Sequence, residues 1–108
     1  EALAAAEIAA KSLPQDPNVL HTLGVAQLKT GALEESRKSL AGALERMPGE
    51  PSLLLDYGKL LIAIGESASG YEHIRSVLNA VRVLDLDFDR LEEAEVIMSN
   101  AADAVGAA

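Results

Sequence analysis

Cysteine and tryptophan are absent from the 108 residues, and only Tyr57, Tyr71 and Phe88 are aromatic. A chain without thiols has no disulfide framework, no thiolate zinc site and no cysteine nucleophile, and its redox compartment stays undetermined. So few aromatic residues exclude a β-sandwich, which draws on aromatic and β-branched positions, while an apolar fraction of 49% excludes a disordered chain. Bases are scarce too: nine stand against 17 acids, for a net charge of -8. That field repels phosphate backbones and anionic lipid, so no nucleic-acid partner is expected. The imbalance is concentrated in residues 84–108, where Arg90 is a lone base among seven acids. No apolar run reaches the ~18 residues of a membrane span, so no membrane insertion is expected. No basic, apolar, small-residue leader pattern is present, and a start at Glu1 inside a helical pattern points to a piece of a longer chain. The length suits one domain.

Alanine and leucine are abundant, together a third of the chain, which is a helical composition. The remaining punctuation is periodic. Pro14 and Pro48, Pro17 and Pro51, Gly24 and Gly58, and Gly31 and Gly65 all stand 34 residues apart. Around them Leu20, Leu23, Gly24 and Gln27 align with Leu54, Tyr57, Gly58 and Leu61, so an i, i+3, i+7 face recurs with its glycine fixed. Asp16-Pro17-Asn18 and Gly49-Glu50-Pro51-Ser52 place proline at a first turn beside capping residues, which marks two helix starts. The pattern predicts helices over 1–12, 18–30, 33–46, 52–64, 70–83 and 88–105. Gly24 and Gly58 inside helices would each cost about 1 kcal/mol against alanine, so they mark close packing of a neighbouring helix, against Ala43 or its equivalents.

On these residues the chain resembles the tetratricopeptide repeat family, whose 34-residue unit reads Trp-x2-Leu-Gly-x2-Tyr, then Ala-x3-Phe, then Pro. In the copy at 17–50, Leu20 stands for the Trp, Leu23 and Gly24 match, Gln27 replaces the Tyr, Ser36 and Leu40 take the Ala and Phe places, and Pro48 matches. Residues 1–16, with Ala2, Ala6, Ala9 and Pro14, fit the second half of an earlier copy. Residues 51–86 form a third in which Glu66-Ser-Ala-Ser-Gly70 reads as a turn lengthened by four residues, although Gly70 also fits the Ala place without an insertion. Residues 87–108 make an acidic terminal helix. The resemblance implies an all-α fold, a right-handed helical-hairpin solenoid of about six antiparallel helices.

It also implies a binding surface. The face of each first helix that turns away from its own hairpin lines a concave groove in this family, here Asn18, His21, Val25 and Leu28, then Ser52, Leu55, Lys59 and Ile62. Half are aliphatic, which suits a protein or peptide with apolar anchors. A covering by the final helix, or by a further repeat, is the competing reading of the same residues. The basic, Asn-lined clamp that some members use for acidic chaperone tails is not matched: its places carry His21 and Val25, and Lys59 is the sole base of this groove. A structural role in self-association, with a homodimer through the solenoid ends, is the alternative function.

Catalytic and metal patterns are wanting. Asp85-x-Asp87-x-Asp89 opens like a calcium loop, but Arg90 stands where glycine is needed and Val96 where a bidentate glutamate is needed. These acids read instead as the start of a helix, with Asp87 or Asp89 as its cap and Glu92 as the capping partner of Asp89. His21 and His73 lie on different helices without a ligand-type residue four positions on. No nucleophile elbow or phosphate loop occurs, so neither an enzyme nor a cofactor is expected. Leu91, Ala94, Met98, Ala101 and Val105 form an apolar stripe by which the last helix would fold back on the final repeat, or by which two copies would associate.

Overall fold

The computed structural model describes the backbone of residues 2–107 and the side chains of residues 2–101. Among these the chain is all-helical: α1 (Ala2–Ser12), α2 (Pro17–Lys29), α3 (Leu33–Arg46), α4 (Pro51–Ala63), α5 (Ser67–Leu84) and α6 (Leu91–Ala107). The expected starts of α2 and α4 are formed as written. The Asp16 carboxylate accepts from the backbone N–H of Asn18 at 2.9 Å and Val19 at 3.2 Å, and Glu50 accepts from Ser52 N–H at 3.0 Å. Pro17 and Pro51 open the two helices, where a missing N–H costs nothing.

The 34-residue offset holds in three dimensions. Gly31 and Gly65 both take left-handed backbone, φ 84° and 95°, and close the same turn. In the first, Gly31 N–H donates to Leu28 and Ala32 N–H to Gln27; in the second, Gly65 donates to Ile62 and Glu66 to Leu61. The turn before α5 therefore has the length of the turn before α3, and the expected four-residue insertion is absent. Ser67, Ala68 and Ser69 are helical, although serine and glycine in succession read as a loop. Packing decides the matter against local composition. Gly70 occupies the place of Ser36, and a Cβ there would stand 2.6 Å from the carbonyl oxygen of Gly58 and 2.7 Å from Ile62.

The glycines inside helices mark close packing as expected, but the partner differs. A Cβ on Gly24 would meet the Leu40 side chain at 2.6 Å, and one on Gly58 would meet Ile74 at 2.7 Å and the Gly70 carbonyl at 2.9 Å. Leu40 and Ile74, again 34 residues apart, fill the notches; Ala43 does not. Ser36, fully buried at the α2–α3 crossing, donates from its hydroxyl to the Gly24 carbonyl at 2.7 Å, so the polar group is satisfied.

The closest pairings are α2 with α3 and α4 with α5, followed by α1 with α2, α3 with α4 and α5 with α6. The core follows this succession as three clusters. Ala6, Leu23 and Ala26 join α1 to α2; Leu40, Ala43, Leu53 and Leu60 join α3 to α4; Leu55, Ile74 and Ala94 join α4, α5 and α6. The molecule is elongated, 45 × 31 × 22 Å. Of the α6 stripe, Ala94 and Ala101 are buried, Met98 packs with Ile97 on the Leu55 and Ile74 cluster, Leu91 is half-buried beside it, and Val105 lies outside the described side chains. Asp89 does not cap α6: the helix begins at Leu91, one residue after Arg90, and Glu92 and Glu93 supply the negative charge of its first turn. Asp85 ends α5 in left-handed backbone, φ 52°, and Asp85, Asp87 and Asp89 are all exposed.

Candidate functional site

Ser52, Asp56 and Lys59 recur at i, i+4 and i+7 and so share one face of α4, directed away from the Leu53 and Leu60 core. Asp56 is 4% exposed, a carboxylate set among leucines. Arg90, immediately before α6, reaches it with a two-pronged pair: Nη2 donates to Oδ1 at 2.7 Å and Nη1 to Oδ2 at 3.0 Å. His21, from α2, donates through Nε2 to Oδ2 at 2.7 Å, because an ionised carboxylate only accepts. Around this centre Arg90 also donates to the Ser52 hydroxyl at 2.5 Å and to Glu93 at 3.0 Å, and Lys59 donates to Glu93 at 2.7 Å. Three segments of the chain converge on one buried acid.

The electrostatics follow from that geometry. Burial pushes the Asp56 carboxyl up, but the hydrogen bonds and charges of His21 and Arg90 overcome it and hold the group at about 2, below its ordinary 3.8. The hydrogen bonds to Asp56 raise Arg90 above its ordinary range, and Arg90 with Lys59 lowers Glu93. A carboxyl depressed on folding stabilises the fold above its unfolded pKa and loses that contribution as pH falls through the folded value. Asp56 therefore contributes on the order of 2 kcal/mol at neutral pH, lost between about pH 4 and about pH 2. Denaturant unfolding of the parent and Asp56→Asn at several pH values should show a stability gap that is widest at neutral pH and narrows through that window.

The eight expected groove residues divide. On α2, Asn18 is exposed, and half-buried His21 and Val25 line with Thr22 an open depression of about 280 Å3 that has Asp56 at its edge. A second depression of about 200 Å3, between Ala6 and Ala9 of α1 and Asn18, Val19 and Thr22 of α2, adjoins it across Thr22. Leu28 is not on this surface: it packs on the Leu40 and Leu53 core. On α4 the final helix has taken the face. Leu55 is completely buried against Ile74 and Ala94, Ile62 packs beside Ile97, Ser52 is bonded to Arg90, and Lys59 is paired with Glu93. Leu55 is thus unavailable to a partner while α6 is seated.

Sequence patterning missed Asp56, Arg90 and Glu93. Two of them left a trace. Asp56 is the one acid in the apolar run of α4, and Arg90 is the one base in the acidic last quarter of the chain. Lone charges of opposite sign, each out of keeping with its segment, are what a buried pair looks like before the fold is known.

Both Asp56 oxygens are committed to Arg90 and His21, and the nearby Ser52 hydroxyl is held by Arg90 instead of by the imidazole. The arrangement joins α2, α4 and the start of α6, and beside it leaves an open strip along α2. No protein-family model, no curated protein and no solved structure matches the chain.

Proposed function

We propose that the chain is a non-enzymatic protein-interaction module, a stretch of tetratricopeptide-type solenoid in which antiparallel hairpins stack with right-handed twist. A peptide or helix of a partner protein would lie along α2 in the concave groove. The observation that carries the reading is the recurrence, at one 34-residue offset, of the proline caps, the left-handed glycines and the glycine notches filled by Leu40 and Ile74. The binding strip is narrower than the sequence pattern implies: Asn18, His21, Thr22 and Val25, flanked by Ala9, with α6 occupying the α4 half.

Apolar anchors should dominate. Buried aliphatic surface yields roughly 25 cal/mol per Å2, whereas exposed ion pairs seldom exceed ~1 kcal/mol. Peptides selected against the protein from a random displayed library should carry aliphatic or aromatic anchors and lose at least tenfold in affinity on Val25→Ser, about 1.4 kcal/mol, with little dependence on salt. Selected peptides that ignore Val25→Ser and release steeply with salt would contradict the groove.

A second reading, structural self-association, has its own observation. Val83, Leu84 and Val96 are 70%, 65% and 52% exposed at the α5–α6 end, and Ile8 and Leu13 are 67% and 53% exposed on and just after α1. Light-scattering mass that rises with concentration, and returns to monomer on Val83→Glu with Leu84→Glu, would favour this reading.

A further inference from the structure

Open space runs along both flanks of α6. A depression of about 440 Å3 lies between it and α5 at Leu78 and Met98, another of about 300 Å3 opens beside Ile62, Tyr71 and Ile97, and a third of about 290 Å3 lies at Leu86 and Leu91. The hairpins α2–α3 and α4–α5, by contrast, meet at glycine notches filled by Leu40 and Ile74. A helix with open flanks has less apolar contact to hold it, which is the condition for an element that opens locally.

What fastens α6 is polar and sits at its first turn. Arg90 grips both oxygens of Asp56, and Glu93 accepts from Arg90 and Lys59. His21 joins the same cluster from the other side: its Nε2 donates at 2.7 Å to the Asp56 oxygen that also accepts from Arg90 Nη1 at 3.0 Å. Among the described residues His21 makes no hydrogen bond with α6, and it lines the strip along α2 beside Thr22 and Val25. It is the side chain of α2 that belongs both to the strip and to the fastening of α6.

The energetics give this link a sign. With α6 seated, Asp56 is 4% exposed and its charge is met by N–H donors of Arg90 and His21 in place of water. Unseating α6 withdraws the guanidinium and admits water to the carboxylate, where one hydrogen bond from an imidazole is worth little. The His21 bond therefore favours the seated state over the open one. We infer that His21 couples the strip along α2 to the seating of α6, so that drawing the imidazole off Asp56 loosens α6 and uncovers Leu55 and Ile62. Given the strip as a binding surface, on which this consequence rests, a partner that takes His21 there gains the α4 face as well. By linkage, a partner seated on the α4 face frees the imidazole.

Amide hydrogen exchange of the full chain at neutral pH, resolved by residue, tests the coupling without any partner. His21→Ala should speed exchange of the α6 amides between Glu95 and Ala101 at least tenfold, about 1.4 kcal/mol, while α3 amides change less than threefold. His21→Gln, which keeps an N–H of similar reach, should restore most of the protection. Thr22→Ala and Val25→Ser alter the strip without removing a bond to Asp56, and should leave α6 as in the parent. In an Asp56→Asn background His21→Ala should add less than twofold. Unchanged α6 exchange in His21→Ala, equal acceleration of α3 and α6, or an effect that persists in full in the Asp56→Asn background would each overturn the coupling. Failure of the strip as a binding surface would show instead in the peptide selection against Val25→Ser, and would leave these exchange rates as stated.

Discussion

Gly70→Ala should destabilise the protein by about 3 kcal/mol, although alanine is the better helix former by about 1 kcal/mol. The added methyl would stand 2.6 Å from the Gly58 carbonyl oxygen, 2.7 Å from Ile62 Cγ1 and 3.1 Å from the Ile62 backbone nitrogen. Two of those neighbours are main chain of α4, so relief requires α4 and α5 to move apart along the whole crossing. Gly24→Ala should cost less, because its closest contacts, at 2.6 Å, are the branched end of Leu40, a side chain that can shift at the expense of its fully buried packing. Chemical denaturation at neutral pH distinguishes the two variants. If Gly70→Ala unfolds at a higher denaturant concentration than the parent, α4 and α5 do not cross at Gly58 and Gly70.

Arg90→Met is the second substitution with a large expected effect. It leaves Asp56, 4% exposed, with the His21 hydrogen bond and the Lys59 ammonium 4.0 Å away but without the guanidinium, a loss of about 3 kcal/mol for a buried pair broken on one side. Asp56→Leu alone strands the charge of Arg90 in a half-buried position but leaves it Glu93, so it should cost less. Both changes together should return most of the loss, since a buried ion pair replaced by apolar groups of similar size is often neutral in stability. A double-mutant cycle in denaturant measures the coupling directly. Additive losses would mean that the pair is not made in solution.

The helical content, the caps at Asp16 and Glu50 and the turns at Gly31 and Gly65 were legible because each is written in local residue types that physical chemistry restricts: an acceptor before a proline, a glycine where φ is positive. The start of α5 was not. Ser67 to Gly70 has loop composition, and what makes it helical is a contact 12 residues away in sequence, the approach of Gly70 to Gly58. The groove was legible as a face but not as a surface. Helical periodicity places Leu55 and Val25 on corresponding sides of their helices, yet it carries no information about which one a later helix covers. That choice rests on Arg90 finding Asp56 across 34 residues, a long-range pairing that periodicity does not encode. Stepping round α2 places Leu28 close to the boundary between the two faces, and it packs inward on the Leu40 and Leu53 core instead of outward with Val25.

The α6 helix is an integral part of the fold, seated over Leu55, Ile62 and Lys59 by the Asp56–Arg90 pair, so that the strip along α2 is what stays open of the face expected to line a groove. Native-state amide hydrogen exchange, resolved by residue, tests it most directly. Amides of α6 between Glu95 and Ala101 should exchange with protection comparable to those of α5, and Arg90→Met should remove this protection while leaving α2 and α3 unchanged. Exchange of the α6 amides in the parent at the rate of an unstructured chain would contradict it, and would return Leu55 and Ile62 to the open groove.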